Sequence, residues 1–524
     1  MKNIFKKSTY MLILGGALAF GACSDLEPID YSDINPNIFP KNEEDVLSLV
    51  NGAYYTFRSD WFDGMFANDD RGIMFINDLT TEILTSTGNW MYNVSTFNYF
   101  PTTGDVTRIY YSNTDYTHTN GKKADGYAND VSNCTYLIDQ IQNIGFLSNE
   151  KKAKYIAEVR CARALTSYML YDMFGPIVIA PLDMLKNPTT SKPVARATTE
   201  EMVQFIEDDL EYAAENLPSP SQAEYGRFSS GLARMLLIRL YLHESKNDKS
   251  YYDKVEAQAK ELMEGGYGYN LVASYPGIFE VGGQGKANKE LIWAVPVNNE
   301  TLHSWNDWPG TVLPSDFGWT GMTGYKTVTS TWDFYSSFEE NDTRKTYLIA
   351  EYINKNGELI TRENNTSMSY GPIPLKYGPD PNYNSNGGKH QADIPIFRYA
   401  DVILSRAEAL YMKNGSSASD KQQALEYLNV IRRRAGLEDL AYSDIDNEDK
   451  FIEKLLLERS HEFWCENGQY RADLIRLGQF EKHGRMFVNE DIPAYKELFP
   501  LPNIVITDGQ GLVMQNPGDR KSVV

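Results

Sequence analysis

Glu458 and Glu462 stand four residues apart on one helical face with Asp473 beyond them, and glycoside hydrolysis needs two carboxylates flanking the scissile bond. Arg459, Arg471 and Arg476 lie beside these acids in the sequence. Carboxylates held by guanidinium groups keep low pKa values and make poor general acids, so the expectation is a structural ion network and no catalysis. Asp444, Asp446 and Glu448 alternate like a calcium loop, but Asp449 stands where that loop needs glycine, and acids that cap a helix start explain the run better. Asn68-Asp69-Asp70 is a similar short cluster without a second half. No H-E-x-x-H, G-x-S-x-G or glycine-rich phosphate loop occurs, so metal, hydrolase and nucleotide chemistry have no motif behind them, and no cofactor is expected.

Binding chemistry is better represented. Trp305-Asn306-Asp307-Trp308 and Trp319 follow the strand-like run Leu291 to Val295, and Asn89-Trp90-Met91-Tyr92-Asn93 lies earlier in a polar stretch. Each places rings beside amide or carboxylate groups. A neutral oligosaccharide needs that pairing, because its C–H faces stack on a ring while its hydroxyls are bridged by Asn or Asp. The candidate ligand residues are therefore Trp90, Asn93, Trp305, Asp307, Trp308 and Trp319.

Composition narrows the partners. The chain has 524 residues and a formal charge of -21, which repels phosphates and anionic headgroups, so nucleic acid is excluded as a partner. Lys2, Lys6 and Lys7 precede the apolar run Tyr10 to Phe20 and the small residues Gly21 and Ala22, an export signal too short to span a bilayer as a helix. Cleavage after residue 22 leaves 47 bases against 71 acids, a charge of -24. Phe20-Gly21-Ala22-Cys23 resembles a bacterial lipobox with Phe20 in place of the usual aliphatic residue, so Cys23 is the expected lipidation site. The acidic stretch Ser24 to Glu27 resembles the signals that send Gram-negative lipoproteins to the outer face of the outer membrane. The remaining Cys134, Cys161 and Cys465 form no C-x-x-C and are expected as buried small hydrophobes, although one exported pair could bridge.

The elements that must position these residues are helices. Ala157, Cys161, Ala164, Tyr168 and Tyr171 share one face of a helix over 152–174, and Thr198-x-x-Glu201 opens the next with a capping box. A second pair runs from Ser229 to Glu264 and a third from Ala400 to Ala435, the latter with an expected cap at Ser419-x-x-Gln422. Both span 36 residues, close to the tetratricopeptide unit, with small residues where helices must approach. The fold class expected is mainly α: tetratricopeptide-like helix pairs as a scaffold (43–60, 126–266 and 397–480), with aromatic-rich loop segments and minor β structure (61–125 and 267–396) forming the ligand face. Residues 1–22 are the expected signal, 23–42 a lipidated tether and 43–524 one composite domain.

Glu158-Val159-Arg160-Cys161-Ala162-Arg163-Ala164-Leu165, followed by Phe174-Gly175, resembles the E-x-R-x-x-R-A helix ending at F-G in the SusD/RagB family of outer-membrane nutrient-binding lipoproteins. Gly226-Arg227-Phe228-Ser229, Phe397-Arg398-Tyr399-Ala400-Asp401-Val402 leading to Ala407-Glu408-Ala409, Glu458-Arg459 through Asp473-Leu474, and Gln515-Asn516-Pro517-Gly518 are similar to further landmarks in the same order. Many members carry Arg-Trp-x-D-L where this chain has Tyr470-Arg471-Ala472-Asp473-Leu474, a difference of packing. The resemblance spans nearly the whole mature chain. It implies a tetratricopeptide scaffold, a loop-built ligand face, no catalysis, and a SusC-like TonB-dependent transporter as partner. The function expected is capture of a glycan at the cell surface for that transporter; a peptide ligand, as in some relatives, and a surface glycoside hydrolase are the alternatives.

Overall fold

The computed structural model describes residues 39–59, 64–68, 72–86, 89–99, 126–190, 192–298, 304–319, 322, 324, 326–383, 389–488 and 492–518. The export signal and Cys23 lie outside the described residues. Two compact units divide at Ser48. In the first, residues 43–48 open the helix Glu43–Tyr54, with Glu43, Glu44 and Asp45 in its first turn, where the helix dipole favours acids.

The second unit is mainly helical. Seven helices, α1 (Tyr127–Gln142), α2 (Asn149–Phe174), α3 (Thr199–Asn216), α4 (Ser230–Glu244), α5 (Tyr251–Glu264), α6 (Tyr399–Met412) and α7 (Ala418–Arg434), each pack against the next in chain order. The contact of α5 with α6 bridges the whole intervening segment, so residues 265–398 are an insertion between two neighbours of one helical stack. Small buried residues permit the close approach: Ala157, Cys161 and Ala164 on α2, Ala233 on α4, Ala259 on α5 and Ala407 on α6 are inaccessible. Two further helices, α8 (Glu448–Phe463) and α9 (Gln469–Arg476), close the stack, and α9 lies against the short helix Ile73–Asp78.

Caps explain the helix starts. The Thr198–Glu201 box forms as expected. At α7 the box is Ser417 with Asp420, two residues before the expected Ser419–Gln422, because Ser417 holds the extended backbone of a cap (φ -81°, ψ 166°) while Ser419 is already inside the helix. Helix α2 ends at Gly175, whose φ of +74° suits a residue without a Cβ.

The family-like motifs are inter-helix fasteners. Arg160 and Arg163 of α2 both clamp Asp209 of α3, at 2.6 and 2.7 Å. Glu158 takes the Arg227 guanidinium at 2.5 Å and the Tyr54 hydroxyl at 2.6 Å. Asn516 donates to the carbonyls of Phe174 and Phe499, tying the C-terminal segment to the end of α2.

Strand content is small and paired in twos. The buried antiparallel strands β2 (Leu291–Val295) and β8 (Ile394–Arg398) bring the two ends of the insertion together, with bulges at Leu291–Trp293 and Trp293–Ala294. Between them, β4 (Leu348–Ile349) pairs with β7 (Ile373–Pro374), and β5 (Tyr352–Ile353) with β6 (Leu359–Ile360). Strand β1 (Leu84–Thr85) pairs with β3 (Thr329–Ser330), which joins the earlier loop segment to the insertion. That earlier segment corrects one expectation. Ile73, Met74, Phe75 and Ile76 are fully or almost fully buried in the helix Ile73–Asp78, so this part of the segment is core and not a loop. No helix among the described residues is long and apolar enough to cross a membrane.

Candidate functional site

The acids that could have formed a hydrolytic pair are buried and saturated with cations. Glu462 accepts from Arg344 (3.3 Å), Arg398 (2.9 Å) and Arg434, while Asp473 accepts from Arg459 (2.6 Å), Arg239 (3.2 Å) and Arg476. Burial alone would raise both carboxyls, but Arg434, Arg398 and Arg344 around Glu462, and Arg459, Arg476 and Arg239 around Asp473, hold them well below the usual carboxylate range. Glu458 departs from the expectation of a low value. Burial raises its carboxyl despite Arg344 at 2.6 Å, because that guanidinium is shared with Asp342 and Glu462. Arg471 departs too, since it donates to the carbonyls of Lys496 and Glu497 and joins no carboxylate of this network.

Of this network's arginines, Arg344 belongs to the insertion, Arg398 to β8 and Arg434 to α7, and the acids Glu290 and Asp342 also come from the insertion. The network therefore fastens the insertion to the scaffold. A proton donor needs access to substrate, and Glu458, Glu462 and Asp473 are at most 2% exposed.

Among the described residues no group of His, Cys, Asp and Glu is arranged to hold a metal ion. Asp444 accepts from the Ala441 N–H at 2.7 Å, Asp446 pairs with Lys450 at 2.9 Å, and Asn447 caps α8, so the alternating acids serve a helix start. Cys134, Cys161 and Cys465 are buried free thiols, and no bridge joins them.

A cluster of polar and aromatic groups is built around Trp305. Its anchor is Asn306, 1% exposed. The Asn306 amide accepts from Asn68 Nδ2 (2.8 Å) and the Trp308 N–H (3.1 Å) and donates to the Ala392 carbonyl (3.2 Å), while its backbone N–H reaches the His390 carbonyl. The Trp305 N–H donates to the Ser59 carbonyl at 3.0 Å. With Asn306 turned inward, the alternating extended backbone carries Trp305 and Asp307 to the half-buried side. There the Trp305 indole N–H donates to Asp307 Oδ2 at 2.7 Å, and the Lys389 ammonium stands 3.0 Å from the centroid of the indole ring. Tyr383 adjoins them: burial and then the Asp307 carboxylate raise its phenol above the ordinary value.

The other candidates fall in different places. Trp308 is not a ligand residue: it opens the short helix Trp308–Val312, is fully buried edge-on to Phe75 (6.2 Å), and satisfies its indole N–H on the Pro374 carbonyl at 2.8 Å. The sequence pattern misled because Trp305 and Trp308 are three apart, and a helix begins between them. Trp319 is half-buried, edge-on to Phe317 (5.7 Å), which packs on Tyr352 (5.1 Å); the Tyr352 hydroxyl donates to Asp316 at 2.9 Å. Asn93 is exposed on the helix Asn89–Ser95 beside Tyr92, itself 51% exposed; Trp90 falls on the same helix, and its side chain lies outside the described part.

Sequence reasoning missed Lys389 and Tyr383. Both sit in the Asn- and Gly-rich stretch 380–391, whose composition signals an exposed loop without saying which ring it meets. The assembled surface offers ring faces, one carboxylate, one ammonium and amides, which is the chemistry of stacking and hydrogen bonding.

Comparison with known proteins places this geometry in context. A model described as the SusD family matches residues 342–518. A SusD-like protein of Bacteroides ovatus is 26% identical over 88% of this chain and 81% of its own length. The starch-binding protein SusD of Bacteroides thetaiotaomicron is 22% identical over 74% of this chain and 76% of its own. Among solved structures, a SusD superfamily protein of Parabacteroides distasonis superposes with a TM-score of 0.71 at 21% identity, covering 91% of this chain and 99% of that one. Surface glycan-binding protein A of Bacteroides thetaiotaomicron, in complex with laminarihexaose, gives 0.69 at 19% identity, covering 90% and 99%.

Proposed function

This chain belongs to the SusD/RagB family, and from that premise we propose that it is a non-catalytic glycan-binding lipoprotein of the cell surface, anchored in the outer membrane through Cys23, that hands oligosaccharide to a SusC-like TonB-dependent transporter. The observation that carries the reading is the Trp305–Asp307 unit, an indole held half-exposed beside a carboxylate by a fully buried asparagine. Lys389 covers one face of the immobilised ring, so stacking is assigned to the opposite face at low entropic cost, and the adjacent carboxylate and ammonium supply an acceptor and a donor for hydroxyls. Relatives with similar chains are named for starch and for laminarin binding, which supports a neutral glycan here. The saturated, buried acids of the ion network support the absence of hydrolysis.

A glycan array on the mature chain, followed by isothermal titration with the best ligand, tests the reading. Trp305→Ala is expected to stay folded and to lose at least tenfold in affinity, since truncating a stacking ring at a hot spot costs about 2 kcal/mol or more. Trp319, Asn93 and Trp90, which fall away from that unit in the chain, are proposed as further ligand contacts on the sequence pattern alone, and their Ala variants are expected to weaken binding to different degrees. Wild-type affinity in all four folded variants would remove the site from this surface, and release of reducing sugar from the bound glycan would replace the reading with a hydrolase.

A further inference from the structure

The Trp305 unit is one side of an antiparallel pairing. Asn306 pairs with His390, its N–H reaching the His390 carbonyl at 3.1 Å. One residue further in each direction, this register sets Asp307 opposite Lys389 and Trp305 opposite Gln391. Burial follows the same period of two. Asn306 and His390 are 1% and 2% exposed, while Trp305, Asp307, Lys389 and Gln391 are half-buried on the other side. His390 is held by both ring nitrogens: Nδ1 accepts the Ala392 N–H at 3.3 Å, so Nε2 carries the proton and donates to the Gly378 carbonyl at 2.9 Å.

A lysine on its four-carbon stem has many rotamers, and the pairing at His390 does not by itself choose one for Lys389. Asp380 closes the chain just outside that pairing. It is buried, and its carboxylate accepts the Asn382 N–H on Oδ1 at 2.8 Å and the Gln391 N–H on Oδ2 at 2.9 Å. The Tyr383 N–H donates to the Asp380 carbonyl at 3.2 Å, and Gln391 Nε2 donates to the Lys389 carbonyl at 3.3 Å. One carboxylate thus joins residues 380–383 to residues 389–391, the two stretches that carry Tyr383 and Lys389. Both oxygens are needed as acceptors, because an amide in the same place turns an N–H toward an N–H.

We propose that Asp380 is a positioning residue of the ligand face: its clasp sets the Lys389 ammonium against one side of the Trp305 indole, so that the ring offers only its other side, already immobilised, to a ligand. The inference rests on the reading of the Trp305–Asp307 unit as that face. Asp380 acts through Lys389, which stands 3.0 Å from the indole centroid. A side chain ordered beforehand need not be ordered on binding, which is where the gain in affinity arises.

Carbon–proton NMR of the mature chain with isotope-labelled lysine tests this without a ligand. Methylenes held over an indole are shifted upfield by its ring current, and an upfield lysine signal that disappears in both Trp305→Ala and Lys389→Arg belongs to Lys389. Asp380→Asn is expected to return that signal to the ordinary lysine position with an unchanged circular dichroism spectrum. Gln391→Pro, which deletes the second N–H and leaves the carboxylate in place, is expected to do the same. Isothermal titration with laminarihexaose and with maltohexaose then reads the consequence, a loss of about threefold or more in affinity in both variants. An upfield Lys389 signal that is absent from the wild type, or that persists in the folded variants, would overturn the proposal. So would wild-type affinity in a variant that has lost the signal. A wild type that shows the signal, loses it in Asp380→Asn and binds no glycan on an array would overturn the function proposed above while supporting the clasp.

Discussion

Two tryptophans three residues apart have opposite surroundings. Trp308 fills a core position, and Trp→Ala at such a site costs about 3–5 kcal/mol through lost transfer free energy and the cavity left behind. Thermal denaturation is therefore expected to show a large loss for Trp308→Ala and little change for Trp305→Ala, with the opposite order in glycan titration. Glu462 makes a second residue-scale case. It is inaccessible and neutralises three arginines, so Glu462→Gln leaves buried guanidinium charge without its partner and is expected to cost about 3–5 kcal/mol by chemical denaturation. A variant as stable as the wild type would mean that Glu290, Glu458 and Glu466 compensate fully.

At the scale of elements, the junction between the helix Ile73–Asp78 and the loop after α8 carries a pH signature. Asp78 is 1% exposed and accepts the Cys465 N–H at 2.9 Å. Burial pushes its carboxyl up to about 7, against the opposing pull of that N–H and of Lys376. In the unfolded chain the same group titrates near 3.9. The folded state therefore holds the proton more tightly, and the sign follows from linkage: stability from this group is fully present below about 3.9 and is lost as pH rises from there through about 7. Asp78→Asn keeps an acceptor for the Cys465 N–H and removes the titration. Its denaturation midpoint is expected to exceed that of the wild type at pH 8 and to converge with it toward pH 4; an unchanged difference across that range would exclude Asp78 as the cause.

The α7 start is another element-scale test. Ser417→Ala removes the hydroxyl that accepts the Asp420 N–H while keeping the backbone N–H that donates to the Asp420 carboxylate, and is expected to cost about 1 kcal/mol, measured by denaturation. Ser419→Ala, inside the helix, is expected to be near neutral.

At the scale of the whole molecule, the second unit is one helical stack with an insertion between neighbours α5 and α6, held to the stack by a buried ion network. The proposed anchor is also a whole-molecule property: Cys23→Ala is expected to move the protein from the membrane to the soluble fraction on detergent partitioning. Unchanged partitioning and unchanged protease access on intact cells would count against both the lipid and the surface location.

Local signals carried the scaffold. The helical periods of α2 to α7, the Thr198–Glu201 box, the β2 run and the short helix near Trp332 were legible because each depends on residues within a few positions of one another. The expectation that Glu462 and Asp473 serve arginines also held, because carboxylates placed among guanidinium groups have few alternatives. Their partners were not legible: Arg344, Arg398 and Arg434 come from three distant segments, and only the folded chain brings them onto one carboxylate. The same limit applied to Trp305 and Trp308. Composition marks both as aromatic residues in a polar stretch, whereas which one faces solvent depends on Asn68, Phe75, Pro374 and Lys389, more than 60 residues away in sequence. Burial is a property of what packs against a residue, and that is decided by tertiary structure alone.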